Sequence, residues 1–209
     1  GKIWFACNCT FGPKGMAKTP QEKVETAELL YETGKKYGLR EDQYVFDVLT
    51  FTLATGESEF LDAGKNTLDG IRLVKKRFPN AFTTLGLSNI SFGLAPAARK
   101  ILNSVFLYHA VKAGLDSAIV NAKEIIPYPE IDLKERKLVE DLIFNTHQNA
   151  LAEVIAHFEK VGTQATSSKK VEVDPSWPAG RRANFRIVNR LKDGIENDVI
   201  SAIAEKINQ

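Results

Sequence analysis

The stretch from Leu85 to Ala122, LGLSNISFGLAPAARKILNSVFLYHAVKAGLDSAIVNA, constrains the fold more than any other. A short apolar run, Phe82 to Leu87, leads into Ser88 and Asn89. A helix pattern follows from about Pro96 to Lys112, and Gly114 stops it. A second apolar run, Ser117 to Asn121, then repeats the arrangement. Strand, loop, helix, glycine, strand is one βα unit feeding the next, which predicts parallel strands. In parallel α/β architectures, binding and catalytic groups collect where the strands end. Both runs end on an asparagine, so Asn89 and Asn121 are expected to share one rim.

The rest of the chain keeps the same rhythm. Ile3 to Cys9 reads as a buried strand closed by the turn signal Thr10 to Gly15. Thr19, Pro20 and Glu22 form a capping-box helix start, and Gly38 ends that helix. Tyr44 to Phe51 is a second strand, nearly all apolar, with Asp47 inside it. A carboxylate there needs donors, because burying it bare is costly. It is either half of a salt bridge or the acceptor for a bound heterocycle. Helices are predicted over Thr67 to Phe78, from Asp132 to about Asn145, and over Asn149 to Val161, the last ended by Gly162. Ala98, Ile101, Leu102, Val105 and His109 share one helical face, which makes His109 a packing residue rather than a catalyst. Arg99 lies in the first turn of that helix and suits either a surface ion pair or an anionic ligand.

Residues 163–180 read as a linker rich in Ser, Thr, Lys and Pro. Helical pattern resumes over 181–209, where Ile195, Val199, Ile203 and Ile207 form a stripe at fourfold spacing. That stripe calls for the barrel or for more helices to cover it.

Strand starts near residues 3, 44, 82 and 117 are spaced as in a (β/α)8 barrel, which takes roughly 250 residues when complete. Four parallel strands do not close a barrel, so the missing half or a second copy of the chain is expected to complete it. An open doubly wound sheet is the alternative, and no GxGxxG-type loop supports it. The formal net charge of +2, with no long basic run, argues against a nucleic-acid surface. No stretch of about eighteen apolar residues predicts a membrane span. The only cysteines, Cys7 and Cys9, make no disulfide framework and too small a ligand set for a metal, which points to a reducing cytoplasm. The abrupt opening on Gly1 and the single methionine, Met16, suggest a fragment of something longer.

Several ordered motifs carry a family resemblance. They are Gly15-Met-Ala-Lys-Thr19, Phe46-Asp47, Phe51 to Gly56, Gly86-Leu-Ser-Asn-Ile-Ser-Phe-Gly93, Leu102 to Leu107 and Gly114 to Val120. Together they resemble the folate-binding domains of the cobalamin-dependent methionine synthase family. These belong to the pterin-binding barrels, with the corrinoid methyltransferases and dihydropteroate synthases. The resemblance implies an α/β fold of TIM-barrel type, here the last four βα units over residues 1–162, followed by a short all-α segment. The segment after residue 180 resembles the opening helices of the cobalamin-binding cap.

The resemblance also implies a site for 5-methyltetrahydrofolate. Asp47 matches the carboxylate that holds the pterin ring edge, and Asn89 the asparagine that reaches N5, where the methyl group leaves. Gly86 and Ser88 shape the loop, Arg99 matches an arginine on the following helix, and Ile119 and Asn121 stand beside them. Cobalamin would be held by regions outside this chain. The chain departs from the family in having Thr10 to Lys14 in place of an acidic pair, and Val48 where proline commonly follows the aspartate. The implied activity is methyl transfer in methionine synthesis, which this chain alone should not complete. The alternatives are a stand-alone methyltetrahydrofolate:corrinoid methyltransferase and a noncatalytic half-barrel that pairs with another half.

Overall fold

The protein is described by a computed structural model covering residues 5–8, 15–165, 173–188 and 191–207. The chain divides into two compact units, Gly1–Gly162 and Thr163–Gln209.

The first unit alternates strand and helix in chain order: β1 (Phe5–Asn8), α1 (Pro20–Lys35), β2 (Tyr44–Asp47), α2 (Ala63–Arg77), β3 (Phe82–Leu85), α3 (Pro96–Ala113) and β4 (Ser117–Ala118). Helices α4 (Leu133–Ile143) and α5 (Ala150–Ala165) follow. Among the described residues the strands form one parallel sheet in the order β1-β2-β3-β4. Each strand lies beside its predecessor. A doubly wound sheet would reverse direction from its first strand, so the sequential order selects the barrel-type winding.

Local chemistry sets the element ends. Thr19 Oγ1 accepts from the Glu22 amide at 3.2 Å, and Glu22 Oε2 accepts from the Thr19 amide at 3.0 Å, completing the predicted capping box. Gly114 closes α3 with φ of 107°, the left-handed conformation that favours glycine. Asp132 caps α4, its Oδ1 accepting from the amides of Lys134 and Glu135.

Several boundaries differ from the sequence reading. β2, β3 and β4 stop at Asp47, Leu85 and Ala118, short of the predicted Phe51, Leu87 and Asn121. The apolar runs continue because Val48, Leu53, Leu87 and Ile90 are buried beneath the loops that leave the sheet. α2 begins at Ala63 rather than Thr67, because Ala63 and Gly64 are themselves packed in the interior. Gly162 does not end α5, which runs on to Ala165 and takes residues 163–165 out of the predicted linker. The ends of the Ile3–Cys9 strand, the turn after it and the shared face of Cys7 and Cys9 lie outside the described residues.

β2 alternates cleanly. Tyr44 and Phe46 are buried against Val24, Val74 and Phe78, with Tyr31, Tyr44, Phe46 and Phe78 in mutual ring contact. A larger core joins Leu68, Ile71, Leu85, Leu102, Val105, Phe106, Val139 and Phe158. The opposite face, carrying Val45, Asp47, Thr84 and Gly86, is only half-buried.

In the second unit α6 (Ala179–Val188) packs on α7 (Ile195–Ile207). Asp198 ties the pair, its two oxygens each accepting from an arginine, Arg182 Nε and Arg186 Nε, at 2.7 Å. Ile187, Val199, Ile200 and Ile203 remain exposed.

Candidate functional site

Parallel pairing in register brings the carboxyl ends of the strands to one edge. Asp47, the last residue of β2, sits between Asn8 of β1 and Thr84 of β3. Its Oδ1 accepts the Leu49 amide proton at 3.0 Å, a turn that folds the chain back across the strand end. Leu49 has φ of 59°, a conformation uncommon outside glycine and asparagine. Oδ2 accepts no hydrogen bond, and Asp47 makes no ion pair, among the described residues. The salt-bridge alternative finds no partner for Asp47 among the described residues. Burial pushes the Asp47 carboxyl above its ordinary range, against the opposing pull of the Leu49 amide and the Lys23 charge.

Lys23 is the residue that the sequence reading missed. It lies on α1 and is fully buried. Its ammonium donates to the carbonyls of Val48 and Leu49 at 2.9 Å each and of Ala17 at 3.1 Å. The signal was available, since helical spacing sets Lys23 on the side of α1 that carries Val24 and Ala27. Nearby, Thr67 Oγ1 also reaches the Leu49 carbonyl, at 3.4 Å. Thr50 Oγ1 is buried without a hydrogen-bond partner among the described residues.

After β3 the chain makes a tight helical turn over Leu87–Ser91. Leu87 and Ile90 anchor it inward, and Asn89 stays exposed above. The Asn89 amide donates to the Gly86 carbonyl at 3.1 Å. A Cβ on Gly86 would stand 3.1 Å from Asn89 Nδ2, so glycine leaves room for that side-chain amide to fold over the strand end. The Leu53 amide donates to the Ile90 carbonyl at 3.0 Å, and Thr52 Oγ1 to the Phe92 carbonyl at 2.6 Å. The loop carrying Asp47's continuation and the loop carrying Asn89 are thus fastened together.

Arg99 reaches back from α3 into that second loop. Its Nε donates to Ser91 Oγ at 3.3 Å and its Nη2 to the Ser88 carbonyl at 3.5 Å. Ser91 Oγ in turn donates to Asn103 Oδ1 at 2.8 Å. Arg99 braces the rim, and among the described residues it enters no ion pair. At the end of β4 the Ile119 amide donates to the Leu85 carbonyl at 2.8 Å, with its side chain 71% exposed. Asn121 is exposed, and its Oδ1 accepts from the Lys123 amide at 3.3 Å, capping the turn that follows. The structure thus sets Asp47, Gly86, Ser88, Asn89, Ile119 and Asn121 at the carboxyl edge of one sheet, with Arg99 bonded to it.

His109 is elsewhere in the packing. Its Nε2 lies 2.8 Å from Glu140 Oε1, and its ring meets Phe144 edge-on at 5.0 Å. That is a helix-packing role between α3 and α4. Among the described residues no group of three His, Cys, Asp or Glu could hold a metal ion. No helix among them is long and apolar enough to cross a membrane.

The rim lies within a segment of recognisable ancestry. Residues 7–121 match the profile of the family described as pterin binding enzyme. A protein of Mycobacterium tuberculosis (strain ATCC 25618 / H37Rv) named methionine synthase is 40% identical over 201 residues, covering 94% of this chain. Its counterpart in Mycobacterium leprae (strain TN), also named methionine synthase, is 38% identical over the same length and the same share of the chain. The chain spans 17% of the length of each of these curated relatives.

Proposed function

Because the chain belongs to the pterin-binding enzyme family, we propose that the carboxyl edge of its sheet binds 5-methyltetrahydrofolate and takes part in methyl transfer from N5 in methionine synthesis. The observation that carries this reading is the Asp47 carboxylate at a strand end. One of its oxygens is tied to the backbone and the other is left without a protein donor among the described residues. A pterin presents a row of N–H donors along one ring edge, and a carboxylate accepts such donors with charge-assisted bonds.

Asn89, on the loop beside it, suits the other end of the ring. Methyl departure from N5 leaves electron density on that nitrogen. A side-chain amide can donate as that density develops, which is electrostatic stabilisation rather than proton supply. The proton comes from water or an acid. Gly86 and Ser88 set the height of the Asn89 loop, Arg99 braces it, and Ile119 and Asn121 border the same edge. Cob(I)alamin supplies the nucleophile when bound, from regions outside this chain, and this chain's residues hold and orient the methyl donor.

The first unit is read as the last four βα units of a (β/α)8 barrel. Supporting this, the face bearing Val45, Asp47 and Thr84 is half-buried while Tyr44, Phe46, Thr83 and Leu85 on the helix-facing side are buried. The other half of the barrel, or a second copy of the chain, would cover that face. The helical segment from residue 181 is read as the start of a cobalamin-binding cap. It favours a methionine synthase over a stand-alone corrinoid methyltransferase.

The test compares two truncations in the full-length protein. Asn89→Ala should lower the methyl-transfer rate by about 10²–10³-fold, the usual loss for one such donor. It should weaken folate binding less than Asp47→Ala does. The reverse ordering would overturn the assignment of roles.

A further inference from the structure

We propose that Lys23 is a positioning residue for Asp47: from beneath the sheet edge, its ammonium holds the backbone turn on which the pterin-facing carboxylate is mounted. The proposal rests on the reading of Asp47 as a pterin ligand and adds the group that keeps it in place.

Lys23 is fully buried, and an ammonium has three protons to place. Three carbonyls receive them: Ala17, ahead of α1, and Val48 and Leu49, immediately after Asp47. Two consecutive carbonyls turned toward one cation require an unusual backbone, and Leu49 at φ of 59° provides it. The same reversal aims the Leu49 amide at Asp47 Oδ1. The carboxylate is therefore pinned by the residue that the lysine pins, and Oδ2 is the oxygen left without a donor among the described residues. Space for the lysine stem comes from α2, where a Cβ on Gly70 would fall 2.5 Å from Lys23 Cδ.

Lys23 also acts through charge. It lowers the Asp47 pKa against the larger effect of burial. The groups beside Asp47 in the sheet, Asn8 on β1 and Thr84 on β3, are uncharged. A lysine chosen only to fill space would be replaceable by methionine, which has similar length and no penalty for burial.

Two ligand-free measurements test the hold itself. The first follows the Asp47 side-chain carboxyl by carbon NMR through an acid titration of the wild-type protein and Lys23→Met. Removal of the cation should move the Asp47 midpoint to higher pH. The second follows the Lys23 ammonium nitrogen in the wild type and in Asp47→Asn, a variant that retains both the lysine and the Oδ1 acceptor. The ammonium signal should shift with Asp47 ionisation in the wild type and lose that step in Asp47→Asn. An unchanged Asp47 midpoint in folded Lys23→Met, or an ammonium signal indifferent to Asp47, overturns the proposal. Should Lys23→Met fail to fold, the second measurement decides alone.

The ligand arm titrates 5-methyltetrahydrofolate into the full-length protein. Lys23→Met should weaken binding by about tenfold and move its loss at acid pH upward. Unchanged affinity and an unchanged acid limb in a folded variant also overturn the proposal. A wild type that binds no pterin while the ligand-free coupling is present refutes the pterin reading alone and leaves the hold of Lys23 on Asp47 supported.

Discussion

Asp47 is held in a position that costs stability. Its carboxyl sits above the ordinary carboxylate range because burial outweighs the Leu49 amide and the Lys23 charge. With the folded-state pKa raised, the native protein binds the proton more tightly than the unfolded chain. Stability therefore falls as pH rises from the unfolded value of 3.8 through the folded one. Asp47→Asn keeps the Oδ1 acceptor and removes the charge. It should raise the thermal midpoint near neutral pH, and the gain should vanish under acid conditions that protonate the wild type. The same variant should lose pterin affinity. A lower midpoint near neutral pH would contradict this account of the site. At this scale the sequence was readable where a residue violated its surroundings. Asp47 stood out as one carboxylate in an apolar run. Lys23 was overlooked because a lysine on a helix is ordinarily solvated; its place beside Val24 and Ala27 marks it as inward-facing, while its partners, far along the chain, give its role. Arg99 was placed at the rim by spacing, while its bonds to Ser91 and Ser88 depended on a loop path that spacing does not encode.

Among the elements, the helix caps were legible because they are local chemistry. Thr19, Gly114 and Asp132 act within four residues of themselves. Strand ends were not, because hydrophobic runs report burial, and the loops after β2 and β3 are as buried as the strands. Close approach of elements gives a direct test. Gly64, near the start of α2, faces the end of α4, where an added Cβ would lie 2.6 Å from the Ile143 carbonyl oxygen. That neighbour is backbone and cannot swing aside. Gly64→Ala should therefore destabilise the protein by about 1–3 kcal/mol, the usual range for overpacking, despite alanine's better helix propensity. Urea denaturation measures it, and a stabilised variant would show that α2 and α4 separate at little cost. The α6–α7 pair offers a second test. Bonds from Arg186 and Arg182 hold Asp198 below the usual carboxylate range. A depressed folded-state pKa stabilises above the unfolded value and is lost as pH falls through the folded one. Amide exchange in α6 and α7 should accelerate at acid pH once the intrinsic rate is removed. In Asp198→Asn it should be fast already at neutral pH. Equal protection in both proteins at neutral pH would remove Asp198 from the account of this pair.

At the scale of the molecule, the winding follows from the alternation of β and α segments. The sequential strand order, which the alternation left open, distinguishes the barrel type from the doubly wound sheet. Two properties of the sheet then support the functional reading together. Its carboxyl edge gathers Asp47 and the Asn89 loop, and the face beneath Asp47 is left half-covered. What would cover that face is a long-range matter that no local pattern records. The most direct measurement is a crystal structure of the full-length protein with 5-methyltetrahydrofolate bound. The account predicts the pterin ring edge against the Asp47 carboxylate and N5 within about 3 Å of the Asn89 side-chain amide. A pterin bound elsewhere, or one that touches either residue without the other, would contradict it.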